Sequence, residues 1–417
     1  MSADFNAMLN DHLHYDLLKE ELQARNYLWK TLEHDDDVSG DIIVPFQSNR
    51  ASSVKAGGGP SAVSDIAKHG FVRGSVSYSS LPKAWMSLLF NYDDIMDHSG
   101  RMKKKSFLGS FLPDQLSDGL DFFSETLNHT VLNKAILATA AATGGSGTIV
   151  VNNPERFEIG GKYIFDPASA NKTGYVTAID MNTSNTTGTL TVKDARSGGS
   201  AVDLTGVASG EYIYQDGFQT SANQMTSLRD ALLTSGNGGD ANIYGVSKTA
   251  SVFTQAINID GSDITKSNII QKLFDGVAIF RRKSKVGAVE LWMSLKHLAA
   301  FQTILEQDKG PYKAVPGSLK SSEYGFTEIS IFGPKTGALK VVGIQEMDDD
   351  VIMAVDPKSM KFHSVKGIQK VKSPDGNYYF VNRDTSNGYD FVVDMCYRGE
   401  LIVNKPHRNA IFHSISY

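Results

Sequence analysis

Residues 8–33, MLNDHLHYDLLKEELQARNYLWKTLE, contain neither Gly nor Pro, and Leu18, Leu22, Trp29 and Leu32 recur at helical spacing between charged side chains. The pattern predicts an amphipathic N-terminal helix, ended by His34–Asp37 and by Ser39-Gly40. DIIVPFQS then reads as a short strand whose Pro45 suits a sheet edge. The small, polar run NRASSVKAGGGP follows, and from Phe71 FVRGSVSYSSLPKAWMSLLFNYDDIM resumes with β-branched and aromatic residues. Strand, glycine-rich tip and strand predict an exposed hairpin-like arm over 40–78. Having no apolar face of its own, it must borrow order from a neighbour, because a lone hairpin is marginal in water.

A second helix is predicted over roughly 113–138, with Pro113 near its first turn and Leu116, Leu120, Phe123, Leu127 and Val131 along one face. At 1.5 Å per residue it runs on the order of 35–40 Å. After TAAATGGSG the pattern changes to short alternating runs, TIVV, EIGGKYIF, KTGYVTAIDMN, TTGTLTVKD and EYIYQDG. These predict an autonomous, inserted all-β module of five or six strands within 148–217. Helical periods return at Asn223–Leu233, at Ile269, Leu273, Val277 and Phe280, and at Ser294–Gln307. Between and after them lie the strand-like runs VGAVELWM, TEISIFG, ALKVVGIQ, VIMAV and YDFVVDMCYRGELIV. The class is α+β. The irregular stretch DKGPYKAVPGSLKSSEYG is long enough to be a functional or mobile loop.

At about 150 residues per domain, 417 residues make two to three units. With 41% hydrophobic and 21% charged residues the chain can bury a sizeable core. Lys and Arg number 41 against 46 Asp and Glu, which disfavours a sequence-specific DNA binder. The single cysteine, Cys396, cannot form an internal disulfide, and the start MSADFNAMLNDH carries no secretory pattern, so a reducing cytosol is the expected setting. No run approaches the roughly 18–20 apolar residues of a membrane span.

The chemical candidates each meet a simpler reading. SGNGGDA (Ser235–Ala241) has dinucleotide-loop spacing but follows a helical segment where a strand is required. Gly161-Lys162 precedes Tyr163 where a phosphate loop needs Ser or Thr, and Arg156 stands where it needs its first Gly. Ser146 in GGSGT lacks the second Gly of a nucleophile elbow. Cys396 sits in an alternating strand pattern as a small buried hydrophobe. His12 and His14 point to different faces of a helix. Asp35–Asp37 and Asp348–Asp350 lack the spaced ligands of a calcium loop. The glycosylation-like triplets at Asn128, Asn171, Asn182 and Asn185 are chance matches without a secretory signal. No catalytic, cofactor-binding or metal-binding residue is expected. A long chain with glycine-rich arms and no site reads as a building block.

The order of elements resembles the major capsid proteins of tailed bacteriophages, the Hong Kong 97-type fold. The residues that carry the likeness are VELWMSLKHLAAFQTILEQDKGPY, then ISIFGPKTGALKVVGIQEMDDDVIMAVDPKSMKFHSV, and the tail YDFVVDMCYRGELIVNKPHRNAIFHSI with Asn404–Pro406. The resemblance implies an N-terminal arm (1–39), an extended two-stranded loop over a neighbouring subunit (40–78), and a peripheral domain with a spine helix (79–139). An inserted β module (140–220), an axial domain (221–370) and peripheral return strands (371–417) complete it. It further implies hexamers and pentamers of an icosahedral shell, double-stranded DNA enclosed without sequence-specific binding, a separate scaffolding protein, a portal, and accessory decoration proteins. The location implied is the virion capsid, assembled in the bacterial host cytoplasm, with no cofactor and no membrane. Lys55 and Lys68 lie in the element where some relatives crosslink, but nothing identifies a partner. A net charge of −5 suits a wall that should not hold packed DNA tightly. The competing readings are a tail or decoration protein that binds through the β module, and a hydrolase with a site assembled from loops. Particle images or the oligomeric state separate the three.

Overall fold

The computed structural model describes residues 26–49, 70–91, 107–166, 172–182, 187–219, 223–284, 289–307, 320–321, 327–333, 337–377, 379–383 and 389–417. Its described helices are α1 (Tyr27–Thr31), α2 (Phe107–Asn133), α3 (Leu228–Leu232), α4 (Ile269–Ser284) and α5 (Leu295–Gln307). Contacts divide the chain into two compact units, Met1–Glu125 with Leu228–Tyr417, and Thr126–Ser227. It is a mixed fold of few helices and many strands.

The first unit holds a seven-stranded mixed sheet in the order Ile257–Asp260, Ala410–His413, Ile352–Val355, Glu290–Met293, Gly337–Gly343, Thr327–Gly333, Lys320–Ser321. Its middle strands are short apolar runs, because a strand covered on both faces has no polar alternation to keep; Ile352–Val355 is wholly buried. On this sheet lie Leu273, Val277 and Phe280 of α4 with Leu298 and Phe301 of α5, in one core with Leu291, Val341, Ile352 and Phe412. The helical spacing at 269–280 and 294–307 therefore reports a real buried stripe.

A second sheet of this unit is organised on the 15-residue strand Tyr389–Val403. Lys83–Asn91 pairs along one side of it; Met360–Lys370 and Phe380–Arg383 pair along the other. Glu33–Asp35 adds in parallel to Met360–Lys370. Val393, Met395, Tyr397 and Leu401 are buried, whereas Val392, Asp394, Cys396 and Arg398 are partly exposed, the period of two of a half-covered sheet. α2 lies on the buried face: a Cβ at Gly119 would come within 2.8 Å of Leu88.

The strand Met360–Lys370 thus belongs with 389–403, while Ala410–His413 belongs to the seven-stranded sheet, so the expected division at residue 370 does not follow the sheets. Of the predicted N-terminal helix, the part before residue 26 lies outside the described residues. What is described is an anchor: Asn26 accepts from the Trp29 amide at 3.1 Å, and Tyr27 donates its hydroxyl to Glu290 at 2.7 Å. Trp29 packs edge-on against His34, Phe362 and Tyr397. Residues 27–35 therefore tie the two sheets together.

The second unit is a six-stranded antiparallel sheet in the order Ile136–Thr139, Tyr212–Gln215, Lys162–Asp166, Lys172–Met181, Thr187–Lys193, Thr148–Asn152. A bridge from Ala140 to Val151 joins the last strand to the first and closes it into a small barrel, sealed by Asn152 donating to Thr139 at 2.9 Å. Leu137, Ile149, Phe165, Val176, Leu190, Val192 and Ile213 fill the interior. The end of α2 belongs to this unit; Thr126 donates to Gln215 at 2.8 Å. The helix ends at Asn133, five residues short of the expected Ala138. Lys134 and Ala135 both take left-handed φ, and the Ala135 amide closes on the His129 carbonyl. Neither is Gly or Asn, so no terminating residue announced the stop, and Ile136–Thr139 becomes a strand.

Two outcomes are expected. Gly276 of α4 faces Phe412, and a Cβ there would sit 2.3 Å from its ring. Phe412 is buried and cannot yield, so Gly276→Ala should destabilise: overpacking costs roughly 1–3 kcal/mol, against about 1 kcal/mol gained in helix propensity. Urea unfolding should show a lower midpoint. A fragment of 148–217 lacks the strand Ile136–Thr139 and cannot close the barrel; fragment 126–227 should give dispersed amide NMR shifts and 148–217 should not.

Candidate functional site

Tyr244 sits at the root of the arm. Ile243 pairs with Val246, leaving Tyr244-Gly245 as a two-residue turn with φ of 49° and 80°. Such a turn favours Asn-Gly, and a tyrosine in left-handed backbone carries strain of order 1–3 kcal/mol. Its contacts offset that cost. The phenol donates to the Leu401 carbonyl at 2.6 Å and accepts the Val403 amide at 3.0 Å, both on the long strand. Its ring stacks on Phe46 at 6.2 Å, and its carbonyl accepts the Ser75 amide at 3.0 Å. Gly74 permits this approach, since a Cβ there would meet the Tyr244 carbonyl at 3.0 Å. Ser251 donates to the Ser48 carbonyl at 2.8 Å on the other side of the root.

The arm strands Ile42–Asn49 and Gly70–Val76 pair in register from Ile42↔Val76 to Gln47↔Phe71, with a shift of register before Asn49↔Gly70, and Ile42, Val44 and Phe46 are buried. The expectation that this arm has no apolar face of its own is therefore corrected: its inner face packs on its own chain, because the period-two run Ile-Val-Phe meets the ring of a residue about 200 positions away. Its tip, residues 50–69, lies outside the described residues. The outer face is mixed, carrying Gln47, Arg73 and Ser75 beside two exposed large apolar side chains. Ile43 is 64% exposed and Phe71 59% exposed. On the open face of the second sheet Trp85 is 55% and Leu89 60% exposed, opposite Cys396 and Val392. Ile43 lies opposite Ser75 and Phe71 opposite Gln47, while Ser87 separates Trp85 from Leu89.

The chemical candidates that fall among the described residues occupy the following positions. Ser235–Asn237 is a short turn leaving α3, and the carbonyls at that helix end are held by buried Lys248, which donates to Leu233 at 2.6 Å and to Asp230. Lys162 pairs with Asp216 at 2.8 Å. Ser146 lies in a bridge with Asp203. Asp348 and Asp350 are both held by Arg229, at 3.1 and 2.5 Å, and Asp349 pairs with Lys296 at 3.4 Å. Asp35 pairs with His363 at 3.3 Å. Asn128 is buried in α2, and Asn182 closes a turn on Thr187. His12, His14, Lys55, Lys68, Asn171 and Asn185 lie outside the described residues. Among the described residues no group of three or more His, Cys, Asp or Glu is placed to hold a metal, and no helix is long and apolar enough to cross a membrane.

Cys396 is half-buried, and burial pushes its thiol up against the weaker pull of Lys83 and Arg398. Little thiolate forms at neutral pH. Labelling by a maleimide at pH 7 should be slow in the folded protein and fast in urea, and Cys396→Ser should shift stability by about 1 kcal/mol or less.

No protein-family model and no curated protein sequence matches the chain. Solved structures do. A chain of the cyanophage A-1(L) capsid asymmetric unit superposes with a TM-score of 0.50 at 10% identity, over 95% of this chain and 92% of that one. The capsid of a native GTA particle (TM-score 0.43, 10% identity, 94% and 91% covered) and a virus-like particle from Pyrococcus furiosus (0.40, 6%, 95% and 96%) are also similar. The first likeness gives this chain a phage-capsid fold, in agreement with the resemblance carried by its sequence.

Proposed function

We propose that the chain is the major capsid protein of a tailed phage, self-assembling as hexamers and pentamers into the icosahedral shell around a double-stranded DNA genome. The observation that supports this most is one fold shared with a cyanophage capsid chain over nearly the whole length of both. In this reading 1–39 is the N-terminal arm, 40–78 the extended loop, and 79–139 with 371–417 the peripheral domain, with α2 as its spine. Residues 221–370 are the axial domain and 140–220 the inserted module. In the same reading 360–370, which pairs with 389–403, is counted with the peripheral domain, and 410–413, which pairs with 352–354, with the axial one. The work is structural and involves no reaction or cofactor. Scaffolding, portal and decoration proteins are its partners, and the virion, assembled in the host cytoplasm, is its place.

Ile43 and Phe71 on the arm, with Trp85 and Leu89 on the sheet, are the surfaces such a shell would cover. Many modest contacts of this kind add up once each subunit is held at several points. Deleting Ala51–Pro60, or making Trp85→Ser with Leu89→Ser, should leave the thermal unfolding of the isolated subunit nearly unchanged and abolish particles in electron micrographs of scaffold co-expressions. Normal particles from both variants would refute the shell role of these surfaces. Discrete small oligomers from the unaltered chain would refute the capsid reading.

A further inference from the structure

The segment Ser414–Tyr417 leaves the strand Ala410–His413 through a left-handed Ser414 (φ 63°) and folds back onto the seven-stranded sheet. Ile415 enters the core, and its amide donates to the Asp350 carbonyl at 3.1 Å. Tyr417 ends on the ring of His297, with its hydroxyl 2.6 Å from Nδ1. On the other side of the ring Nε2 lies 2.7 Å from the Asp349 carbonyl. A carbonyl can only accept, so Nε2 carries the proton, and in the neutral ring Nδ1 is the acceptor of the Tyr417 hydroxyl. His297 is fully buried. We propose that Ser414–Tyr417 is an acid-sensitive clasp, closed by the neutral imidazole of His297 and loosened when that ring takes a second proton.

Burial, rather than the charges around it, explains why the ring resists protonation. Asp348, Asp349 and Asp350 lie on the adjoining turn, but Arg229 of α3 holds the first and third, and Lys296 of α5 holds the second. Lys296 also stands 5.8 Å over the Tyr417 ring, beside which an imidazolium would be a second cation. With Nδ1 protonated the Tyr417 hydroxyl can no longer donate to it and must turn to accept. Burial pushes His297 below its ordinary value of 6.5, against the weaker pull of Asp349 and Asp350, and pushes the Tyr417 phenol up. A folded-state value below the unfolded one means that the released form binds protons more readily. The clasp is therefore at full strength above about pH 6.5 and weakens as pH falls from there to the folded value.

Hydrogen exchange read by mass spectrometry on a peptide covering 410–417, corrected for intrinsic rates, tests this on the full chain. Protection should fall by up to about tenfold per pH unit below about pH 6.5, while the strand Glu290–Met293 stays protected. His297→Gln, whose amide can both donate and accept, should flatten the profile. Tyr417→Phe should lower protection at neutral pH and keep the slope. Constant protection in the unaltered chain, or an undiminished slope in His297→Gln, would overturn the proposal. Should His297→Gln fail to fold, NMR titration of the His297 ring decides: a midpoint at or above the ordinary value overturns it, and a lower one that coincides with loss of protection supports it.

Discussion

The first unit depends on the pairing of Tyr389–Val403 with three segments drawn from far apart in the chain, Lys83–Asn91, Met360–Lys370 and Phe380–Arg383. A strand of 15 residues satisfies its backbone groups only if partners run along both sides, and no single neighbour is long enough to do so. The sheet therefore recruits one partner from the beginning of the chain and two from near its end. The same strand presents Leu401 and Val403 to the Tyr244 phenol, so the root of the arm is fixed to the longest strand among the described residues. Long-range pairing of this kind is slow to form.

Tyr244 shows how strain and position are linked. A tyrosine at a left-handed turn position is a poor local choice, and Asn would suit the backbone better. Asn offers neither a ring for Phe46 nor a hydroxyl that reaches the long strand. The local cost is outweighed by two buried hydrogen bonds and a stacked ring, which is the pattern expected where a residue serves position more than propensity. The arm is thus ordered at its root by its own chain, while Ile43 and Phe71 on its outer face stay exposed.

Much of this was legible in the sequence. The 3.6-residue spacing of Leu273, Val277 and Phe280, and the alternation in KTGYVTAIDMN and TTGTLTVKD, mark buried stripes that the fold uses directly. What could not be read were features set by distant partners. Ile136–Thr139 looks like more helix because Lys134 and Ala135 give no turn signal, and only pairing with Tyr212–Gln215 makes it a strand. Glu33–Asp35 looks like a polar helix stop and is an edge strand, because Met360–Lys370 offers a free side. The arm seemed bare because Tyr244 lies far along the chain. The exposure of Ile43, Phe71, Trp85 and Leu89 was not readable, since exposure depends on what lies beneath a strand.

The central claim is that an arm anchored at Tyr244 covers a second copy of the chain in a closed shell. Electron cryomicroscopy of the assembled particle tests it most directly, at a resolution that shows side chains. Ile43 and Phe71 should be buried against a neighbouring subunit while Phe46 keeps its stack on Tyr244 of its own chain. An arm whose outer face points to solvent in the particle, or a root that has left Tyr244, would contradict it.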